Sequence, residues 1–259
     1  MQALIEDAVT GTAAHARPDL SACSPLERYR AVRERTLRLI ASLDPEDLVV
    51  QSMPDASPAK WHLAHTTWFF ETFLLGPNVP GYTVFDEYFG FLFNSYYEAV
   101  GPRHPRPMRG LLTRPSLARV LDYRRHVDTR MEALLATPLD ADTEALIRLG
   151  FAHEEQHQEL LVMDMQHLFA QSPLKPAFDP AWSLPATGRT ARFRRVGGGP
   201  VRIGALDESF AFDNEAPRHP TWLEPFDIPD RLVTTGPRPA FLATGRFRPA
   251  VLWPPDAWA

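Results

Sequence analysis

Residues 151–165 read "FAHEEQHQELLVMDM". His153 and His157 stand four apart in a segment whose Leu, Val and Met otherwise spell a buried helix. On a helix, residues four apart differ by about 40° in direction and lie one turn from each other, so the two imidazoles share a face. That spacing suits two adjacent positions on one metal ion. It also makes the stretch part of a long helix, running from about Asp142 to Phe169.

Working outward, three further segments carry helical periodicity. Residues 24–43 open with Ser24, Pro25 and Glu27, which predicts a capping box and a proline in the first turn. Leu26, Tyr29, Val32, Leu37, Ile40 and Leu43 then recur on one side, leaving Arg30, Arg33, Arg35 and Arg38 expected in solvent. Residues 57–76 repeat the grammar, with Ser57 as cap, Pro58 in the first turn and Gly76 as stop. That segment is apolar almost all round and belongs deep in a core. Residues 116–136 form the last, with Leu117, Val120, Leu121, Val127, Met131 and Leu134 inward. The reading is mainly α, a four-helix bundle, the kind of interior where facing side chains assemble metal sites.

Between the second and third helices lie about 30 residues, too many for a passive connection. Their aromatics predict an ordered excursion facing a ligand. Prolines, 26 in all, are roughly twice the usual share of about 5%. Many fall after residue 172, which marks residues 172–190 as a linker. Short β-prone pieces around glycines follow. The expected division is a mobile tail over 1–23, a bundle over 24–171, the linker, and a second domain over 191–259.

Composition excludes several classes. A net charge of −5 without a basic block leaves no footprint for nucleic acid. No stretch approaches the roughly 18 apolar residues of a membrane span, and the N-terminus lacks a signal peptide's pattern. Cys23, the sole cysteine, rules out an internal disulfide or a cysteine-rich zinc cluster and reads as a bystander in the tail. The expected compartment is cytoplasmic.

The pair His153 and His157 alone is compatible with polar residues at a bundle surface. "HEEQH" also places Glu154 where a zinc protease has its base, but such an enzyme's third ligand normally lies downstream. A ferritin-like site would use Glu154 and His157 and needs a second Glu-x-x-His, which the sequence lacks. The second helix supplies another option. "WHLAHTTWFFE" sets His62 and His65 among Trp and Phe, and a buried imidazole needs a partner. A metal shared with His153 and His157 would provide it, leaving positions open for substrate and water. Spacing does not decide between His62 and His65, nor between zinc and iron.

"LAH" at 63–65, "HEEQH" at 153–157 and "FNSYYEAVGPRHPRP" at 93–107 together resemble the DinB-like bundle of the ergothioneine-biosynthesis family EgtB. "FAFDNEAPRH" at 210–219 resembles the start of the formylglycine-generating-enzyme-like domain (C-type-lectin-like, α+β) that follows in that family. The resemblance runs from about Ser24 onward. It implies an iron(II)- and O₂-dependent sulfoxide synthase joining hercynine to cysteine or γ-glutamylcysteine, the "NSYYEAVGPRHPRP" form pointing toward cysteine. It implies iron ligands at His65, His153 and His157, with His62 set aside. Arg103 and Arg106 are implied to grip the thiol donor's carboxylate, and Gln156 to lie near the hercynine ammonium group. Tyr96 and Tyr97 are candidate neighbours of that group, with core packing as their more ordinary use.

The sequence departs from the family after "RLVT", where "TTGPRPAF" replaces the usual Asn-Gly, acidic residue and aromatic; Phe241, Gly245, Phe247, Pro249, Trp253 and Trp258 return to register. The family pattern continues well past "VLWPPDAWA" and there carries a catalytic tyrosine. The expectation is therefore an intact triad, an incomplete second domain and doubtful activity alone. The alternatives are a DinB-like metal-dependent thiol S-transferase and a metal-binding remnant without catalysis.

Overall fold

A computed structural model describes residues 23–95, 101–183, 192–206, 210–231 and 243. It divides into two compact units, residues 1–182 and 183–259.

The first unit is a helical bundle. Helix α1 spans Pro25–Ile40, and its capping box forms as expected: the Ser24 hydroxyl accepts from the Glu27 amide while Glu27 accepts from the Ser24 amide. Helix α2 spans Ala59–Phe70 and is buried at every position. It runs on through a π-turn, Glu71–Leu75, and a last turn, Gly76–Asn78. Helix α3, Phe89–Phe93, is short. Helices α4, Leu117–Leu135, and α5, Ala141–Gln171, are long; Asp140 caps the latter by accepting from the Thr143 amide. Helix α2 packs against α4 and α5, and α1 against both of these as well. Among the described residues, no helix is long and apolar enough to cross a membrane.

Three local expectations are corrected. Ser57 does not cap α2: its hydroxyl accepts from Arg109 Nη1 at 2.9 Å, and α2 starts at Ala59 behind Pro58. Gly76 does not end the helix, because its N–H reaches back to the Glu71 carbonyl in the wide π pattern and the chain winds on to Asn78. Arg33 is not in solvent. It lies buried between α1, α4 and α5, with Nε 2.6 Å from Asp128 and Nη1 2.9 Å from Glu154. Paired carboxylates on two other helices make that burial tolerable.

The core is aromatic. Tyr29, Trp68, Phe69, Phe70, Phe93, Tyr123 and Phe151 are almost wholly buried. Gly150 of α5 lets the chain approach this layer: a Cβ there would fall 2.7 Å from Phe70 Cε1. Glu71 ties the excursion after α2 to the bundle, accepting from Tyr82 Oη at 2.7 Å, the Phe85 amide at 2.9 Å and Tyr123 Oη at 2.5 Å.

Among its described residues, the second unit contains two antiparallel pairs. Strand β1, Phe193–Val196, pairs with β4, Phe226–Pro229. Strand β2, Gly199–Ile203, pairs with β3, His219–Leu223. A helical bundle followed by a small antiparallel β region is the fold class read from the sequence.

Candidate metal centre

Helix α5 sorts its polar residues by face. His153 and His157 point toward α2. Glu154 and Gln158, likewise four apart, point toward α1 and α4. Glu154 Oε1 accepts from Thr36 at 2.6 Å and Arg124 at 3.0 Å, and Oε2 accepts from Arg33 at 2.9 Å. Gln158 donates to the Val32 carbonyl at 2.9 Å. The zinc-protease reading therefore loses its base: Glu154 is fully buried in an ionic network and does not line the histidine cavity. Burial alone would raise its carboxyl, but Arg33 and Arg124 hold it down at about 2.

On the other face, one ring nitrogen each of His65, His153 and His157 lies within 4.8 Å of the others. His65 and His153 face each other through Nε2 atoms 3.2 Å apart. Two metal–imidazole bonds of about 2.1 Å across that gap would enclose an angle of about 100°, within ordinary coordination geometry. His65 Nδ1–H donates to the Phe93 carbonyl at 2.6 Å, which leaves its Nε2 lone pair pointing inward. The ring is layered between Trp61 and Trp68, at centroid distances of 4.5 and 5.6 Å, and His153 rests on Phe69 at 4.7 Å.

Burial is the main force on every titration here. It pushes His65 well below its usual range, helped by His153; it pushes His157 down likewise, helped by His65, and takes His153 to about 4. Arg109 adds to the depression of His65 and His157. Three neutral imidazoles with converging lone pairs are the ligand state of a divalent transition metal. The residues fit a metal.

His62 stands behind the cluster. Its Nδ1 is 2.8 Å from His157 Nδ1 and its Nε2 is 3.0 Å from Asp164 Oδ2. Asp164 also accepts from the Ser57 amide at 2.8 Å. Asp164 was not singled out in the sequence, although it lies two turns beyond His157 on the same stripe of α5.

The cavity holds about 300 Å³ and is lined by the histidines, Trp61, Ser95, Arg106, Arg109, Gln156 and Asp164, among others. Of the sequence-predicted substrate residues, Arg106 and Gln156 reach it. Arg103 does not line it; Nη1 instead donates to the Ser95 carbonyl at 2.6 Å. Arg109, missed by the sequence reading, does line it. Its guanidinium sits 3.4 Å over the Trp61 ring and donates to Ser57 and Ser95 hydroxyls. The reason is local. Residues Arg106–Leu111 form a 3₁₀-helix, in which positions three apart eclipse, so Arg106 and Arg109 share a direction. The triple spacing Arg103, Arg106, Arg109 was the available signal. Tyr96 and Tyr97 lie outside the described residues.

The DinB-superfamily profile matches residues 28–169, from the first turn of α1 almost to the end of α5. The chain belongs to the DinB superfamily. The histidine cluster lies wholly within this DinB bundle. Over 234 residues the chain is also 31% identical to the hercynine oxygenase of Mycolicibacterium thermoresistibile, a match covering 88% of this chain and 50% of that protein. The chain thus spans about half the length of that relative.

Proposed function

We propose that this DinB-superfamily chain carries the iron(II)- and thiol-binding half of an O₂-dependent sulfoxide synthase that joins hercynine to cysteine or γ-glutamylcysteine. The observation that carries the reading is the cluster His65, His153 and His157 opening onto a cavity that also holds Arg106 and Arg109. Iron(II), when bound there, supplies a centre at which O₂ and a thiolate can meet.

The chain's own residues account for the rest. Three neutral ligands leave the ion's charge uncompensated, which favours a thiol donor in its thiolate form. Arg106 and Arg109 both line the cavity, where their positive guanidiniums attract a carboxylate and offer it charge-assisted hydrogen bonds. The donor's carboxylate would thereby be held while its sulfur reaches the histidines. Arg103, through the Ser95 carbonyl, steadies the segment that carries one cavity wall. Gln156, exposed at the rim, offers an amide oxygen to a quaternary ammonium, which has no N–H to donate. Holding both substrates beside one centre is the proximity a ternary reaction needs. Overall, one C–H and one S–H are lost, a C–S bond and an S–O bond form, and the second oxygen of O₂ leaves as water.

The test is mass spectrometry of product from residues 1–259 loaded anaerobically with iron(II), hercynine and cysteine, then opened to air. A hercynyl-cysteine sulfoxide that requires O₂ would show that this half suffices for the reaction. A folded, iron-loaded chain that neither forms it nor binds cysteine would reject the proposal. A second reading, a DinB-like metal-dependent thiol S-transferase, is favoured by one fact: the described residues that line the cavity lie between Ser57 and Asp164, inside the bundle. Thiol consumption without O₂ would select it.

A further inference from the structure

The most informative unassigned group in the molecule is the pair His62 and Asp164. The sequence reading set His62 aside as a ligand, and nothing in the proposed reaction uses Asp164. Both are nevertheless placed with care. His62 is 3% exposed and its two nitrogens have separate partners, His157 at 2.8 Å and Asp164 at 3.0 Å. Asp164 is fixed in turn by the Ser57 amide.

The protons in this chain of contacts can be assigned by elimination. A carboxylate accepts and does not donate, so the proton between His62 and Asp164 sits on His62 Nε2. In the neutral ring that leaves His62 Nδ1 as an acceptor. Two nitrogens 2.8 Å apart need one proton between them, so it sits on His157 Nδ1. The remaining nitrogen of His157, Nε2, then carries a lone pair. A ring in the other tautomer would present an N–H to the cluster and could not ligate a metal there.

We propose that His62 and Asp164 are positioning residues: together they lock His157 in its metal-binding tautomer, as the Phe93 carbonyl does for His65. This inference rests on the three-histidine metal reading. It extends that reading with a second layer built from side chains, running from Asp164 through His62 to His157. Outer partners of metal-bound imidazoles typically change metal affinity ten- to a hundredfold when removed.

The test uses the full chain and Co(II) alone as probe. Dissociation constants come from competition with a chromophoric chelator, and ligand N–H protons are read as Co(II)-shifted proton resonances. Circular dichroism checks the fold of each variant. His62→Leu removes the acceptor; it should weaken Co(II) binding ten- to a hundredfold and lose the His157 N–H resonance to solvent exchange. His62→Asn places a carbonyl oxygen near the former Nδ1, so it should keep both the affinity and the resonance. Asp164→Leu frees the His62 tautomer and should weaken binding without touching the cluster, which supplies a reading even if His62→Leu does not fold.

Unchanged affinity and an unchanged resonance in His62→Leu or Asp164→Leu would overturn the proposal. So would equal losses in folded His62→Asn and His62→Leu, because ring packing alone would then explain the position. If the unsubstituted chain fails to bind Co(II), the metal reading falls and takes the relay with it. That result is distinct from a tight site indifferent to residue 62.

Discussion

Glu154→Gln isolates what the first carboxylate of "HEEQH" does. In the core, Arg33 and Arg124 face Glu154 and Asp128, two positive charges against two negative. The substitution leaves one guanidinium uncompensated. Arg33 retains Asp128 at 2.6 Å, whereas Arg124 keeps neutral oxygens from Leu63, Thr66 and Arg33. Removing one partner of a buried ion pair destabilises by about 3–5 kcal/mol. For a unit of this size, that corresponds to a fall of about 6–20 °C in Tm. Urea and thermal unfolding followed by helical circular dichroism would measure it. The double variant Arg124→Met with Glu154→Leu restores charge balance around the remaining Arg33–Asp128 pair, so it should lose less than Glu154→Gln alone. Below its melting range, Glu154→Gln should still bind Co(II), since the carboxylate lies outside the cavity lining. A stability loss under about 1 kcal/mol would refute the network's stated role, because that is the scale of an ordinary hydrogen bond.

Three other outcomes are expected. Gly150→Ala should destabilise by about 1–3 kcal/mol despite alanine's better helix propensity, since the new methyl meets Phe70 and Phe69, both buried and unable to retreat; equal or greater stability in urea would contradict the close-approach argument. Metal-free protein should lose stability as pH falls from about 6.5 to about 4. Over that window the unfolded chain binds protons at positions such as His153, which the folded chain keeps neutral down to about 4, and His62, His65 and His157 act in the same direction. That single residue contributes a slope of about 1.4 kcal/mol per pH unit, and a flat urea midpoint across the window would reject the burial argument. Arg109→Met should weaken cysteine binding to the iron(II)-loaded chain at least tenfold, about the 1.5–3 kcal/mol of a charge-assisted hydrogen bond, and more than Arg103→Met does. Calorimetry showing the reverse order would return the carboxylate grip to Arg103.

The helices were legible because their signals are local. Ser24 and Glu27 announce α1, and the periodicity of apolar residues sets which side is buried. What the sequence could not settle depends on partners far along the chain. Arg33 reads as solvent-facing from its neighbours, and it is buried because Asp128 and Glu154 stand opposite, 95 and 121 residues away. Ser57 and Pro58 form a credible helix start, yet the Ser57 hydroxyl is drawn to Arg109. Gly76 is a credible stop, yet a π-turn widens the helix just before it.

The site divides in the same way. Periodicity puts His153 and His157 together but also puts Glu154 one residue from a metal-like pair, so an H-E-x-x-H motif and a three-histidine bundle site look alike in one dimension. They separate only through the facing helices: α2 offers histidines to one side of α5, while α1 and α4 offer arginines to the adjacent side. The choice between His62 and His65 follows the same logic. Both are buried on α2, but Asp164 engages one with an acceptor and the Phe93 carbonyl orients the other toward the cluster. The arginine triplet turns on backbone type rather than residue type. In a 3₁₀ segment, the pair that points together is the pair inside it, Arg106 and Arg109. Arg103 precedes that segment, so the same three-residue spacing does not give it the same direction. A motif identifies which chemistry is available; the element that carries it decides which members of the motif can act together.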